Sequence, residues 1–225
     1  MDKYRAIITA TEEEFDAIKN IMNKIEEISY WNLTFLKGKI NNKRYVLARC
    51  GVGKVNAARV TQILTDKFDL ECIINVGSAG GLNDSLNIGD IIIGEKLVQH
   101  DFDITAFEHE KGYITDTGTF FEGDKGLIQS LKNIKLENTK ILTGTIASGD
   151  IFCTDPKMKE KIKTKFNADC CEMEGAAIAQ VCYLNKVPFI VIRSISDIPN
   201  GKNHIDFNQF IKLASKNCAE IIMQL

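Results

Sequence analysis

The stretch Cys72-Ile73-Ile74-Asn75-Val76-Gly77-Ser78-Ala79-Gly80-Gly81 decides the fold. Its first half is an apolar run with a single polar break, the pattern of a strand buried on both faces. Such strands belong to sheets covered by helices on both sides. The glycines and tiny residues that follow read as a bare backbone loop at the strand's carboxyl end, where ligands bind in open α/β sheets. Ser78 is the only side chain there able to hydrogen-bond.

Working outward, strands and helices alternate. Residues 4–10 read as a strand. Thr11 with Glu14 three positions on forms a capping box, and Phe15, Ile18, Ile21, Met22 and Ile25 continue with helical spacing. Residues 30–40 and 44–49 alternate like strands joined at Asn41-Asn42, a hairpin pattern. Cys50-Gly51-Val52-Gly53-Lys54-Val55-Asn56-Ala57-Ala58 then turns a strand into a helix reaching about Phe68. It lacks the five-residue approach of a P-loop, and Asn56 stands where a dinucleotide fingerprint needs its third glycine.

Downstream, Asn87-Ile88-Gly89-Asp90 turns into a strand at 91–93. Periodicity is lost over 99–122, a long loop whose His100-Asp101 has no third metal ligand at recognisable spacing. A helix at 125–133, a strand at 140–146, and a helix with Asp155 as cap and Pro156 in its first turn follow. Cys170-Cys171-Glu172-Met173-Glu174-Gly175-Ala176-Ala177 reads as a short strand turning into an Ala-rich helix to about Asn185. Its two glutamates either share one face of an extended segment or meet the positive end of the helix dipole. Pro188 introduces a buried strand at 189–193 that ends in Ser194-Ile195-Ser196-Asp197, and Asp206 is expected to cap the last helix. The reading is one domain over 1–225, an α/β fold with a helix-covered central sheet.

Composition removes several function classes. The 225 residues are 44% hydrophobic and 26% charged with net charge −2, and no basic run offers a phosphate-neutralising surface for nucleic acid. No apolar run approaches the roughly 18 residues of a membrane span. Met1-Asp2-Lys3-Tyr4 leads straight into strand pattern without signal-peptide features. The seven cysteines are odd in number, without Cys-x-x-Cys, and lie mostly in apolar segments. A cytoplasmic protein without metal or cofactor is expected.

Polar groups recur where strands stop: Glu14, Ser78, Glu172 and Glu174, and Arg193 with Asp197, with the flat ring of Phe152 beside them. Several carboxylates around one cleft suit cleavage of a sugar bond through an oxocarbenium-like transition state, with one acid for the leaving group and one base for water. Crowded, desolvated carboxyls keep one protonated near neutrality. Phe152 suits stacking on a planar leaving group.

Glu12-Glu13-Glu14, Gly51-Val52-Gly53-Lys54-Val55-Asn56-Ala57-Ala58, Val76-Gly77-Ser78-Ala79-Gly80-Gly81, Asp103-Ile104-Thr105-Ala106-Phe107, Ser148-Gly149-Asp150-Ile151-Phe152, Glu172-Met173-Glu174-Gly175-Ala176-Ala177 and Arg193-Ser194-Ile195-Ser196-Asp197, in that order, resemble the 5′-methylthioadenosine/S-adenosylhomocysteine nucleosidases. The resemblance covers nearly the whole chain. It implies a nucleoside phosphorylase-like fold, single-domain and three-layered, with a central twisted mixed sheet flanked by helices. It also implies a homodimer that hydrolyses the N-glycosidic bond of these nucleosides, and of 5′-deoxyadenosine. By position it makes Asp197 the acid at adenine N7 and Glu14 the base for water, with Ser78 and Arg193 holding that water. Glu174 and the Met173 backbone would meet the ribose, and Phe152 and the Cys153 backbone the adenine. Val52 and Phe207 would meet the 5′-alkylthio group. Glu172 and Ser196 complete the substrate-binding set, and Phe107 would enter the partner subunit's pocket. Thr11 and Cys153 depart from the Met and branched aliphatic common in the family. Three alternatives remain: a futalosine-type hydrolase, a phosphorylase on the same fold, and a non-catalytic nucleoside sensor. Against the phosphorylase stand Glu12, Glu13 and Glu14, whose charges repel phosphate from a helix start.

Overall fold

Strands and helices alternate along the computed structural model as β1 (Tyr4–Thr9), α1 (Glu12–Lys19), β2 (Asn23–Tyr30), β3 (Leu33–Ile40), β4 (Lys43–Arg49), α2 (Lys54–Lys67), β5 (Leu70–Gly81) and β6 (Ile91–Gln99). A single 3-10 turn, Thr105–Phe107, interrupts the long loop. Then come β7 (Phe121–Glu122), α3 (Lys125–Lys132), β8 (Ile141–Ser148), α4 (Pro156–Phe166), β9 (Cys170–Glu172), α5 (Gly175–Asn185), β10 (Phe189–Asp197) and α6 (Asn203–Gln224). The structure describes residues 3–198 and 203–225, with no side chains for 203–206.

Among the described residues the strands form one mixed ten-stranded sheet, with neighbours in the order β10-β6-β8-β9-β5-β1-β4-β3-β2 and β7 paired on β6. β10 also pairs with β5, so β5, β10, β6, β8 and β9 close into a hydrogen-bonded circuit. β5 runs parallel to β1 and β10, and β8 runs parallel to β6 and β9. Alternation along the strands sorts the core into two layers. Ile8, Val46, Ile73 and Val191 pack on the α2 and α5 side, while Ile7, Leu47, Ile74 and Ile192 pack with residues of α1, α3 and α6. Neighbouring residues thus enter opposite layers, as the period of two requires. Each fully buried isoleucine contributes roughly 1.5–3 kcal/mol.

Four expectations change. First, Gly77–Gly81 is no loop. It is the carboxyl half of β5, paired with β10 and β9. Second, the helix after β1 ends at Lys19; of the residues expected to extend it, Ile21 and Met22 lie in the connecting turn and Ile25 in β2. Lys24 has φ +52°, and Ile28 pairs with Phe35 of β3; sheet pairing overrides the helical spacing. Third, Ser194–Asp197 continues β10 instead of ending it, and all nine residues of that strand are buried. Fourth, α6 begins at Asn203, ahead of the expected cap; the side chain of Asp206 lies outside the described residues. The Thr11–Glu14 capping box, the Asp155 cap with Pro156, and the antiparallel β3–β4 pair all form as expected.

Candidate active site

The carboxyl ends of β1, β5, β8 and β10 converge on a cavity of about 400 Å³. Glu14, Val52, Ser78, Phe152, Cys153, Glu172, Met173, Glu174, Arg193, Ser196, Asp197 and Phe207 all line it. Of the expected site residues only Phe107 is elsewhere, on the 3-10 turn and 75% exposed.

Glu14 serves the helix cap and the cavity at once. Its Oε2 accepts from the backbone N–H of Ala10 (2.9 Å) and Thr11 (3.1 Å). Its Oε1 accepts from the Ser78 backbone N–H (3.0 Å) and hydroxyl (3.1 Å). Glycine at 77 makes this approach feasible, since a Cβ there would lie 2.9 Å from Glu14 Oε1 and 3.3 Å from an Arg193 nitrogen. Gly80 does the same for Asp197, where a Cβ would lie 3.0 Å from Oδ2. The glycines keep strand geometry while clearing space for carboxylates.

Glu172 and Glu174 have opposite surroundings. Both Glu172 oxygens are occupied. Oε1 accepts from the Ser148 hydroxyl, and Oε2 accepts from Arg193 and from the backbone N–H of Glu174 (3.0 Å) and Gly175 (2.7 Å). Burial pushes its carboxyl up, but the Arg193 charge and these donors outweigh that and hold it below the usual range. Among the described residues Glu174 accepts one bond, from the Gly53 N–H at 2.9 Å. Burial, then repulsion from Glu172, raise it to about 8, with Arg193 offsetting only part. Arg193 itself is fully engaged: besides Glu172 its guanidinium donates to Asn75 Oδ1 and the Ile192 carbonyl.

Asp197 sits at the end of β10 beside a lysine. Lys159 Nζ donates to Asp197 Oδ2 at 3.1 Å, and the Ser196 hydroxyl donates to Oδ1 at 3.2 Å. Across the cavity, the rings of Phe152 and Phe207 meet edge to face with centroids 5.7 Å apart. His100 is buried, and burial lowers its pKa. Among the described residues no cluster of three or more His, Cys, Asp or Glu is arranged to hold a metal, and no helix is long and apolar enough to cross a membrane.

Sequence reasoning missed Lys159, Ser148 and Asn75. Lys159 had one available signal: it shares an inward stripe of α4 with Ile162 and Phe166, where an aliphatic residue is the ordinary choice. Asn75 had the same kind of signal, as the one polar residue in the apolar run Cys72–Val76, whereas Ser148 carries no such mark because its partner comes from a strand remote in sequence.

A parallel-rich sheet with carboxylates gathered at its strand ends belongs to a known class. A family model described as the phosphorylase superfamily matches residues 4–225. The 5′-methylthioadenosine/S-adenosylhomocysteine nucleosidase of Staphylococcus carnosus is 43% identical over 223 residues, covering 97% of each chain. The Neisseria meningitidis nucleosidase of the same name, solved in complex with methylthio-immucillin-A, superposes with a TM-score of 0.95 at 36% identity, covering 99% of this chain and 97% of that one. Futalosine hydrolase of Helicobacter pylori superposes with a TM-score of 0.94 at 32% identity, covering 99% and 96%. The chain belongs to the phosphorylase superfamily and, within it, to the 5′-methylthioadenosine/S-adenosylhomocysteine nucleosidase family.

Proposed function

We propose that the chain hydrolyses the N-glycosidic bond of 5′-methylthioadenosine and S-adenosylhomocysteine, releasing adenine and a 5-thio-substituted ribose. The observation that carries hydrolysis over phosphorolysis is the cavity's charge. Arg193 is its one lining cation among the described residues, and that guanidinium is already bound to Glu172 and Asn75. A phosphate dianion would meet carboxylates with no free positive partner. Water needs only a base, and Glu14 offers an oxygen shared with Ser78 alone.

In this reading Asp197 gives its proton to adenine N7, so the base leaves neutral. Glu14 takes a proton from the water that attacks C1′, and Ser78 orients that carboxylate. Glu174 binds the ribose hydroxyls beside the developing cation, with the Met173 backbone alongside. Phe152 stacks on adenine, and the Cys153 backbone and Ser196 complete that side. Val52 and Phe207 receive the alkylthio group. Glu172 and Arg193 act as a frame for the turn that carries Glu174. Working as a homodimer, the enzyme would receive Phe107 from the partner subunit; the solvent exposure of Phe107 and Val55 supports that reading. A role in methionine salvage within the cytoplasm fits the substrate and the seven free thiols.

Glu14→Gln and Asp197→Asn test the assignment. Each is expected to lower kcat/KM for methylthioadenosine by at least ~10²-fold, measured on protein shown by a thermal melt to be folded at the assay temperature. Wild-type turnover in either variant contradicts it. The futalosine-type reading keeps a place because that hydrolase superposes almost as well. Comparing kcat/KM for methylthioadenosine, adenosylhomocysteine and futalosine decides between them, with the thio-nucleosides expected to lead.

A further inference from the structure

Lys159 is a charged residue inside an apolar layer. It is 3% exposed, and Cys153, Ile162, Phe166, Ala168 and Cys171 form the buried cluster on this side of the sheet. An ammonium in such surroundings requires a partner. Its partner is the carboxyl that the reading above makes the proton donor, with Lys159 Nζ 3.1 Å from Asp197 Oδ2 and both side chains at most 4% exposed. Lys159 does not line the cavity; among the described residues it meets the site through Asp197.

We propose that Lys159 is a positioning residue for the proton donor: its ammonium orients the Asp197 carboxyl toward the base and stabilises the carboxylate left when the proton is given up. The inference rests on the assignment of Asp197 as the acid. The proton moves from the Asp197 carboxyl to N7 of the leaving base as the C1′–N bond breaks. Lys159 takes no part in the proton transfer. Glu14 gains the proton of the attacking water, and exchange with solvent restores both carboxyl groups.

The arrangement has a definite cost. A cation within about 4 Å favours the carboxylate by roughly 1–3 pK units, so the acid is stronger but protonated over a narrower pH range. Among the described residues, other titratable groups around the pair are the thiols of Cys153 beside the cavity and of Cys170 and Cys171 on β9, with Asp155 at the head of α4. Burial and neighbouring groups raise Cys170 well above its ordinary value. Cys171 is also raised, first by the hydrogen bond with Cys153 and then by burial. The Cys153 thiol is lowered by that same bond and by Lys159 against its burial, so it needs its own control.

The test is the pH profile of kcat for adenine release from methylthioadenosine by Lys159→Met, Lys159→Arg and Cys153→Ala, with thermal melts beside it. In Lys159→Met the descending alkaline limb should move up by about 1–3 pH units while the acid-side plateau falls several-fold. Lys159→Arg, which keeps the charge, should keep the wild-type limb, and so should Cys153→Ala. If Lys159→Met does not fold, Lys159→Gln supplies the neutral side chain. A folded neutral variant whose limb coincides with wild type overturns the inference, as does a limb that disappears with the Cys153 thiol. Asp197→Asn separates the two levels: wild-type turnover there removes Asp197 as the acid, whereas an inactive Asp197→Asn with an unmoved limb in Lys159→Met removes only the role of Lys159.

Discussion

Glu172 and Glu174 lie two residues apart and line the same cavity, yet their surroundings differ. Glu172 receives donors from β8, β10 and the start of α5. Glu174 receives one, from the turn before α2. A buried carboxylate is stable when its lone pairs are met by donors and a cation. One left with a single donor keeps capacity for a ligand, and its pKa rises with burial. The number of partners, not position along the chain, therefore distinguishes the two carboxyls.

Removing Glu172 should have the largest effect. Glu172→Ala leaves Arg193 buried without its charge partner, and a loss of about 3–5 kcal/mol in unfolding free energy is expected, read by denaturant titration. Activity should vanish along with the fold. Glu174→Gln should behave oppositely, folding normally but losing about 10²-fold in kcat/KM, because hydroxyl contacts that strengthen at the transition state contribute several kcal/mol. Equal stability losses in the two variants would break the comparison.

A pH series sharpens it. The Glu174 carboxyl rises from 4.5 to about 8 on folding, so the folded chain holds this proton more tightly than the unfolded one between those values. Stability from this group is fully present below the unfolded value and lost as pH rises through about 8. Glu174→Gln should therefore remove part of the decline in Tm between pH 5 and 8.5 and melt more than about 4 °C above wild type at the upper end. Ser148→Ala should be mildest. It deletes one donor to Glu172 and the acceptor for the Ala176 N–H, for about 1 kcal/mol, or roughly 2–4 °C in Tm.

The sequence made the central layer legible because β5 and β10 are apolar on both faces, a pattern few other structures produce. It also located Glu14, Ser78, Glu174, Arg193 and Asp197, since each stands where a strand pattern stops. Ile25 was misread as helical because β2 takes its conformation from pairing with β3, not from its own spacing. The Gly77–Gly81 segment was misread because glycine signals a turn locally, whereas here it clears room for Glu14 and Asp197 across the sheet. Lys159 was hidden among the lysines of α4, and only the fold brings it to Asp197.

The most direct test of hydrolysis is adenine release from methylthioadenosine by the wild-type chain in phosphate-free buffer, repeated with millimolar phosphate and with the sugar product identified. The account predicts the same rate in both buffers and free 5-methylthioribose as product. Turnover only with phosphate, yielding a ribose-1-phosphate, would contradict it.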